Sequence, residues 1–368
     1  MISLALASFP VRASAVNSVE TGASAASAKS AILMRSDGSV LFEKNADERL
    51  PMASTTKIMT AIIVIEKISP DTEVTVADES VGVEGSSMYL QKGETLTVRD
   101  LLYALMLQSA NDAAVALAYA VSGGIDGFAE LMNEKAADLG LKDTHFTNPN
   151  GLDDENHYTT ARELALISRY ALENEEFRAI VSTMKYAYTT SLKSGVFVNH
   201  NRLLYSMPNC IGVKTGYTKR SGRCLVSASN TDGLEFICVT IDDPDDWNEH
   251  RALHAYAVGC YEKHEPVCDE FLTYEIPVIN GVTDSVMCAN TAGESFWVQA
   301  EEDIEYTVEL PRFLYAPVSE GEICGRVVIK SGGAEIGSID IVTVQSADGV
   351  VYRRFIDKIY DFIRGLFK

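Results

Sequence analysis

The sequence predicts an α+β chain in which a mixed region of helices and antiparallel strands precedes a small all-β module and an amphipathic tail. Helical periodicity and strand-like alternation are interspersed across residues 29–262. Short alternating segments separated by Gly and Asp turns follow across residues 263–347. Residues 348–368 then carry one apolar helical stripe.

Composition limits the classes of function. A chain of 368 residues with 46% hydrophobic residues can bury a substantial core in about two or three domains. Its formal net charge of −21 argues against nucleic acid as a partner, because phosphate binding needs clustered Lys and Arg. We interpret the seven cysteines, which lie mostly in apolar contexts, as buried thiols. The acidic run at 242–246 lacks the spacing of a calcium loop and is interpreted as a solvated turn, so no metal is expected.

The N-terminal segment, residues 1–28, is predicted to be a signal remnant and linker. A short apolar stretch ends in Ala13-Ser14-Ala15, which is typical of a signal-peptidase site. The cationic residues that normally precede such a stretch are missing, and an ordinary mobile N-terminus is the alternative. We expect an exported protein.

The first chemically informative stretch follows a predicted hairpin at Asp37-Gly38. Pro51 and Ser54 suit a helix entrance, and an apolar run follows Lys57. Residues three apart share a helix face, so the Ser54 hydroxyl and the Lys57 ammonium point into the same space. Serine becomes a nucleophile when a base takes its proton, and lysine can be that base if burial or another cation lowers its pKa. The alternative is an ordinary capped helix start.

A second polar pair, Ser109 and Asn111, interrupts the apolar helical region that runs from Thr97 to Ala120. Residues two apart face different directions on a regular helix, so joint use of this pair requires a turn between two helices. The alternative is a pair of helix-capping groups.

A third polar element, Lys214-Thr215-Gly216-Tyr217, lies at a predicted strand end. It offers a cation, a hydroxyl and an approachable backbone, which suits binding of a carboxylate beside a substrate strand. An exposed lysine on an edge strand is the alternative.

The remaining elements are predicted from periodicity and turn residues. A helix near 160–173 should be capped by Thr159 or Thr160, with Glu163 placed for a capping box. Further helices are expected near 127–139 and 252–262, and strands near 186–190, 195–198, 224–229 and 236–241, the last two joined at Asp232-Gly233. The all-β module should contain strands near 274–279, 295–299, 306–310, 325–329 and 339–343.

The tail, residues 348–368, is predicted to be an interfacial helix on an anionic membrane. Its apolar stripe is opposed by a net positive polar face, and the segment is too short and too charged to span a bilayer comfortably. Docking on its own β module or on a partner is the alternative.

Together the polar elements occur in the order S-x-x-K, S-x-N, K-T-G. In this order and with these flanking residues, the sequence resembles the penicillin-binding protein and serine β-lactamase superfamily. Within it, the chain is most similar to the low-molecular-mass D-alanyl-D-alanine carboxypeptidases. Flanking motifs that carry the resemblance are Met52–Ala61, Ser109–Ala114, Asn148–Asp153, His157–Ala161 and Gly212–Thr218. It covers about residues 29–262 and implies a transpeptidase-like domain of helices and antiparallel sheet.

The resemblance implies a serine acyl-enzyme mechanism without metal or organic cofactor. Ser54 would be the nucleophile, Lys57 its base and Ser109 the proton relay. Among the substrate-binding residues, Asn111 would hold the substrate amide. Lys214 and Thr215 would bind the terminal carboxylate, and Gly216 would allow the substrate to approach closely. The backbone N–H of Tyr217 would bind the oxyanion. Peptidoglycan stem peptides and β-lactams would be the partners.

This sequence departs from the family pattern in several places. Ala110 stands where glycine is frequent, and its Cβ should be tolerated. The arginine that some relatives place near the substrate carboxylate has no clear counterpart, although Arg202 or Arg251 could substitute. The leader is expected to be truncated, because the cationic residues that normally begin it are missing.

Alternative functions remain at this point. A serine β-lactamase shares the motifs but needs a glutamate for the deacylating water, and the stretch Glu130–Asn133 has the wrong spacing and loop context. A wall-binding scaffold with a degenerate site is disfavoured because the polar elements are intact.

Overall fold

A computed structural model of the chain describes residues 24–265, 273–300, 302–350, 359 and 362–365. The chain divides into two compact units, the first ending at Val258 and the second beginning at Gly259. The first unit is a mixture of helices and antiparallel sheet and the second is predominantly β, which confirms the predicted fold class.

The first unit is built on a five-stranded antiparallel sheet with strand order β2-β1-β9-β8-β7. Its strands are β1 (Ser30–Arg35), β2 (Val40–Lys44), β7 (Cys210–Thr218), β8 (Gly222–Thr231) and β9 (Leu234–Ile241). The predicted turns are confirmed: Gly38 has φ +95°, while Asp232 and Gly233 have φ +49° and +90°. β7 lies at the edge of the sheet, which leaves one of its sides without a partner strand.

The described residues of this unit also form eight α-helices, some of which pack against the sheet. They are α1 (Lys57–Lys67), α2 (Val98–Leu107), α3 (Asn111–Ser122), α4 (Ile125–Asp138), α5 (Ala161–Leu172), α6 (Glu175–Ser182), α7 (Leu203–Ser206) and α8 (Asp246–Gly259). α1 is buried over its first two turns, where Lys57 and Thr60 are the only polar residues, and its apolar residues there belong to the core. Two short antiparallel strand pairs complete the unit: β3 (Glu73–Thr75) with β4 (Thr95–Thr97), and β5 (Lys185–Thr189) with β6 (Ser194–Val198).

The predicted capping box on α5 is only half formed. The Thr160 hydroxyl accepts a hydrogen bond from the Glu163 N–H at 3.1 Å, as expected. The Glu163 carboxylate instead accepts from the N–H groups of Lys142 and Asp143 and from the Thr144 hydroxyl. The local sequence pattern predicted the Thr160 cap correctly. The Glu163 carboxylate does not complete the box because it bonds the 142–144 loop.

The acidic run at 242–246 is a correction to the predicted solvated turn. Asp243 and Asp246 are buried, at 0% and 2% exposure. Asp246 pairs bidentately with the Arg223 guanidinium, and Asp243 accepts from the Ser27 hydroxyl at 2.6 Å. Partners distant in sequence, which a local pattern does not reveal, account for the burial.

The second unit contains β10 (Tyr261–His264), β11 (Thr273–Ile279), β12 (Ser285–Asn290), β13 (Phe296–Gln299), β14 (Ile304–Glu309), β15 (Leu314–Tyr315), β16 (Ile323–Ser331) and β17 (Ala334–Thr343). Six of them form a sheet with order β14-β16-β17-β12-β11-β15, and β10 pairs with β13. Every predicted strand of this module overlaps an observed one, and Gly332-Gly333 makes the β16–β17 turn. The strands β10, β12 and β15 have no counterpart among the predicted strands.

The leader and most of the tail lie outside the described residues, so those predictions are untested. Within the tail, residues 359 and 362–365 are helical and exposed, with Phe362 at 70% exposure. Among described residues, no single helix is long and apolar enough to cross a membrane. The six described cysteines are free thiols, four of them buried.

Candidate active site

Ser54 lies on a 3₁₀ turn, Ala53–Thr56, that leads directly into α1. The turn is held by its threonines: the Thr55 hydroxyl donates to the Met52 carbonyl and the Thr56 hydroxyl to the Ala53 carbonyl. Ser54 is partly exposed between buried neighbours, and its Oγ lies 2.9 Å from Lys57 Nζ. Neither Met52, the N-cap of the 3₁₀ turn, nor Thr56, the N-cap of α1, makes a side-chain capping hydrogen bond in the described structure. The capped-helix alternative therefore does not explain Ser54.

Lys57 is fully buried and held by three contacts. Its Nζ lies 2.9 Å from Ser54 Oγ, 2.7 Å from Asn111 Oδ1 and 2.5 Å from the Asn150 carbonyl oxygen. Burial lowers the pKa of Lys57 well below its ordinary value, the nearby charge of Lys214 lowers it further, and Asp112 acts in the opposite direction.

These contacts fit a neutral amine. The oxygens of Asn111 and Asn150 can only accept, so they take the two N–H groups of a neutral Nζ. The remaining lone pair then faces Ser54 Oγ and can accept its proton. Lys57 therefore has the geometry and the pKa direction of a general base for Ser54.

Ser109 and Asn111 lie at the junction between α2 and α3, which confirms the predicted turn between two helices. Ser109 adopts φ +59°, and both side chains are nearly buried. Asn111 is oriented because its Nδ2 donates to the Glu84 carbonyl at 2.6 Å, which leaves Oδ1 facing Lys57. Ala110 has φ −62°, so a Cβ is accommodated there as expected.

Asp112 is a site-supporting residue that the sequence analysis missed. Its buried carboxylate accepts from the Ser87 hydroxyl and from the N–H groups of Met88 and Leu90. It thus fixes the loop before β4 against the start of α3, beside Asn111. The only signal in the sequence was an acid followed by an apolar helix.

The loop at 148–152 packs against the Ser54 turn and the first turn of α1. The Asn150 carbonyl accepts from Lys57, and the Pro149 carbonyl accepts from the Thr60 hydroxyl. Gly151 has φ +85°, and a Cβ there would lie 2.0 Å from the Ala53 carbonyl oxygen. Only glycine permits this loop to approach the Ser54 turn.

His157 supports the same turn as a neutral imidazole. The Thr147 N–H donates to His157 Nδ1 at 3.1 Å, so the proton must be on Nε2, which lies 2.7 Å from Thr56 Oγ1. The Thr56 hydroxyl in turn donates to the Ala53 carbonyl, next to Ser54. Burial lowers the pKa of His157 to about 4, which is consistent with this neutral form. His157 is a positioning residue.

β7 forms the opposite wall with Lys214, Thr215, Gly216 and Tyr217. Lys214 is buried at 2% exposure, and its Nζ donates to the Thr215 carbonyl at 3.0 Å. Burial lowers its pKa to about 7. The strand is an edge strand as the alternative required, but its lysine is not exposed.

Gly216 brings this strand against the nucleophile. A Cβ at Gly216 would lie 3.1 Å from Ser54 N and 3.2 Å from Thr55 N, so the strand runs directly beside the Ser54 turn. Tyr217 is 67% exposed, and the Thr218 hydroxyl donates to Asp153 at 2.9 Å. The structure thus brings Ser54, Lys57, Asn111 and Gly216 together, and Ser109 lies two residues before Asn111 at the junction between α2 and α3.

Arg202 and Arg251 are the candidates for the additional cation near the substrate carboxylate, and no described contact joins either of them to a predicted site residue. Arg251 bonds Ser206 and Asn248, and Arg202 is an exposed residue before α7. The backbone N–H of His200 donates to the Leu107 carbonyl near Ser109, but burial and then the charge of Lys214 lower the pKa of His200, so this histidine is a neutral polar group and not the additional cation. An isolated histidine gave no signal in the sequence. Among described residues, no His, Cys, Asp and Glu group could hold a metal.

Comparison with known proteins agrees with this geometry. The family model described as D-alanyl-D-alanine carboxypeptidase, peptidase S11, matches residues 16–245. The chain is 32% identical to D-alanyl-D-alanine carboxypeptidase DacF of Bacillus subtilis, over 83% of this chain and 82% of that protein. It is 30% identical to DacC of Escherichia coli, over 89% and 84% of the two chains.

Solved structures give the same result. Penicillin-binding protein 5 of Haemophilus influenzae aligns with a TM-score of 0.62 and 29% identity, over 88% of this chain and 98% of that one. The Streptomyces K15 DD-transpeptidase aligns with a TM-score of 0.60 and 33% identity, over 63% and 97% of the two chains. The chain belongs to the S11 family of D-alanyl-D-alanine carboxypeptidases, which are serine peptidases.

Proposed function

We propose that this enzyme removes the terminal D-alanine from peptidoglycan pentapeptide stems through an acyl-enzyme on Ser54. The observation that carries the proposal is the set of contacts at Lys57, which place its Nζ 2.9 Å from Ser54 Oγ while two acceptor oxygens are available for its N–H groups. Lys57 takes the proton as Ser54 attacks the carbonyl of the D-Ala-D-Ala bond. Water then hydrolyses the acyl-enzyme.

Backbone groups beside Ser54 stabilise the oxyanion. The N–H groups of Ser54 and Tyr217 are the proposed donors, supported by the approach of Gly216 to Ser54 N. Loss of one such donor typically costs ~3 kcal/mol of transition-state stabilisation. Ser109 relays a proton to the leaving D-alanine, and Asn111 holds the substrate amide.

The free carboxylate of the substrate binds at the strand wall. Lys214 and Thr215 are the proposed ligands, and Gly216 allows the close approach. His200 adds a polar group near Lys214. This requirement for a terminal carboxylate favours carboxypeptidase over endopeptidase activity.

β-Lactams are proposed to acylate Ser54 as substrate mimics and to remain attached. The three hydrogen-bond partners of Lys57 are a hydroxyl, an amide and a backbone carbonyl, not the carboxylate that a class A β-lactamase needs. Glu130 is an exposed residue of α4. The β-lactamase alternative therefore has no deacylating glutamate at this lysine.

Release of D-alanine from diacetyl-L-Lys-D-Ala-D-Ala tests the proposal. We expect release by the wild-type protein and none by Ser54→Ala, with intact-mass detection of a persistent penicilloyl adduct only in the wild type. Absence of release by folded wild-type protein would favour the scaffold alternative. Rapid nitrocefin turnover without a persistent adduct would favour the β-lactamase alternative.

We further propose that the protein is exported and works at the outer face of the cytoplasmic membrane. Support comes from the Ala13-Ser14-Ala15 motif, the apolar and cationic faces of residues 348–368, and a substrate that lies in the cell wall. In this proposal residues 29–262 are the catalytic domain and residues 263–347 the β domain. The full chain should co-sediment with phosphatidylglycerol vesicles, and a chain lacking residues 348–368 should not; equal sedimentation of both would contradict the membrane role.

A further inference from the structure

Tyr89 is an exposed aromatic residue in an unusual backbone conformation. Its side chain is 80% exposed, whereas its neighbours Met88 and Leu90 are at 5% and 3%. It adopts φ +60°, a region that bulky residues rarely occupy. Such conformations persist only where the surrounding structure imposes them, and they concentrate at functional sites.

Hydrogen bonds on both sides impose this conformation. The Tyr89 N–H donates to the Ser87 hydroxyl at 2.8 Å, and the Tyr89 carbonyl accepts from Lys193 Nζ at 2.5 Å. Lys193 also donates to the Met88 carbonyl at 3.0 Å. The backbone is thus fixed by polar groups while the ring itself is directed to solvent.

The Tyr89 loop is part of the active-site wall. Asp112 accepts from Ser87, Met88 and Leu90, which flank Tyr89, and the next residue back, Asn111, contacts Lys57 at 2.7 Å. The Asn111 N–H and Nδ2 are in turn bonded to the carbonyls of Ser86 and Glu84. A short series of hydrogen bonds therefore connects the Tyr89 backbone to the catalytic lysine.

The proposed substrate orientation indicates which part of the peptide lies beside the Tyr89 loop. Lys214 and Thr215 take the terminal carboxylate, on the leaving-group side of the scissile bond. Asn111 takes the amide on the acyl side. The loop that carries Tyr89 is bonded to Asn111 and Asp112, so it lies on the side where the part of the peptide that precedes the D-Ala-D-Ala pair would bind.

We propose that Tyr89 forms a subsite for the residue preceding the D-Ala-D-Ala pair and packs its ring against a long aliphatic side chain there. This inference rests on the proposed function and adds a specificity determinant to it. An aromatic face held rigidly in solvent offers apolar contact area at little conformational cost when a substrate covers it.

Side-chain selectivity at this position tests the subsite. We expect the wild type to prefer diacetyl-L-Lys-D-Ala-D-Ala over acetyl-Gly-D-Ala-D-Ala, and Tyr89→Ala to lose about tenfold in kcat/KM on the lysyl substrate alone. Tyr89→Phe should retain the preference. Tyr89→Asn removes the ring while tolerating positive φ, so it separates loss of the ring from backbone disruption. Tyr315→Ala, at a 65% exposed tyrosine of the second unit, is the control.

Acylation by 6-aminopenicillanic acid, which lacks the preceding residue, should be unchanged in Tyr89→Ala and Tyr89→Asn. Normal D-alanine release with unaltered selectivity in both variants overturns the subsite alone. Equal loss on both peptides and on the β-lactam also overturns it, because the loop would then serve only to position Asn111. Wild-type protein that neither releases D-alanine nor becomes acylated overturns the proposed function together with the subsite.

Discussion

The two buried lysines of the cleft, Lys57 on the helical wall and Lys214 on the strand wall, differ in what surrounds them. Both are nearly inaccessible and both have lowered pKa values. Lys57 has three fixed contacts, one of them the Ser54 hydroxyl, whereas the described hydrogen bond of Lys214 is to its neighbour's carbonyl. Burial lowers the pKa of both lysines, that of Lys214 to about 7, and the partners decide which acts as base and which as anion ligand.

Removing the Lys57 amine should produce the largest effect. In Lys57→Met the Ser54 hydroxyl has no base, so we expect the acylation rate to fall by roughly 10³-fold or more. Stopped-flow acylation by a fluorescent penicillin measures this. Thermal denaturation should show a folded protein, since a buried amine is replaced by an apolar side chain. Acylation within tenfold of wild type would assign the base elsewhere.

Alanine substitutions at Gly151 and Gly216 should differ in their effect on stability, because an added Cβ is far more crowded at Gly151. Gly151→Ala places a Cβ 2.0 Å from the Ala53 carbonyl at φ +85°, and we expect a loss of about 3 kcal/mol in unfolding free energy. Gly216→Ala meets its nearest atom at 3.1 Å, so it should remain folded and mainly slow acylation. Urea denaturation and acylation kinetics separate the two. Equal stabilities would show that the 148–152 loop is not fixed against the Ser54 turn.

Lys214→Met should act on the substrate carboxylate. We expect kcat/KM for the free tripeptide to fall about 30-fold, corresponding to loss of one charge-assisted contact of ~2 kcal/mol. A substrate amidated at its C-terminus should be affected far less. In the wild type, carboxylate binding should weaken as the pH rises through the Lys214 pKa of about 7, because the ammonium is lost. Similar losses on both substrates would argue against a carboxylate ligand.

His157→Gln should have the smallest effect, seen only in acid. The folded pKa of about 4 lies below the ordinary 6.5, so the neutral His157 stabilises the fold above pH 6.5, and that stability is lost as the pH falls toward 4. At pH 5 this loss is about 2 kcal/mol. The melting temperature of the variant should therefore change less between pH 7.5 and 5 than that of the wild type. A conservative His254→Gln variant provides a comparison, because burial lowers the pKa of His254 to about 4 as well. An unchanged acid shift in His157→Gln would remove His157 from this account.

The sequence predicted the parts of the site that follow short-range rules. Ser54 and Lys57 share a helix face, Ser109 and Asn111 needed a turn, and Asp37-Gly38 and Asp232-Gly233 needed positive φ; all three expectations match the structure. The three motifs in order also indicated the family. Local spacing is sufficient where the determining contacts are a few residues apart.

Partners distant in sequence were not predictable in this way. Asp112 bonds residues 22 to 25 positions earlier, and His157 bonds Thr56 across 101 positions. Glu163 and Asp243 were assigned to local roles and instead bond distant groups. The supporting residues of the site therefore became visible only in the fold.

The pH dependence of Ser54 acylation by 6-aminopenicillanic acid, in wild type and Lys214→Met, tests the central claim most directly. If Lys57 is the neutral base, the rate rises with pH along a limb whose apparent pKa is well below the ordinary lysine value of ~10.4. Since the Lys214 charge contributes to that depression after burial, the limb should move to higher pH in Lys214→Met. A rate without such a limb, or a limb that Lys214→Met leaves unmoved, would contradict the account.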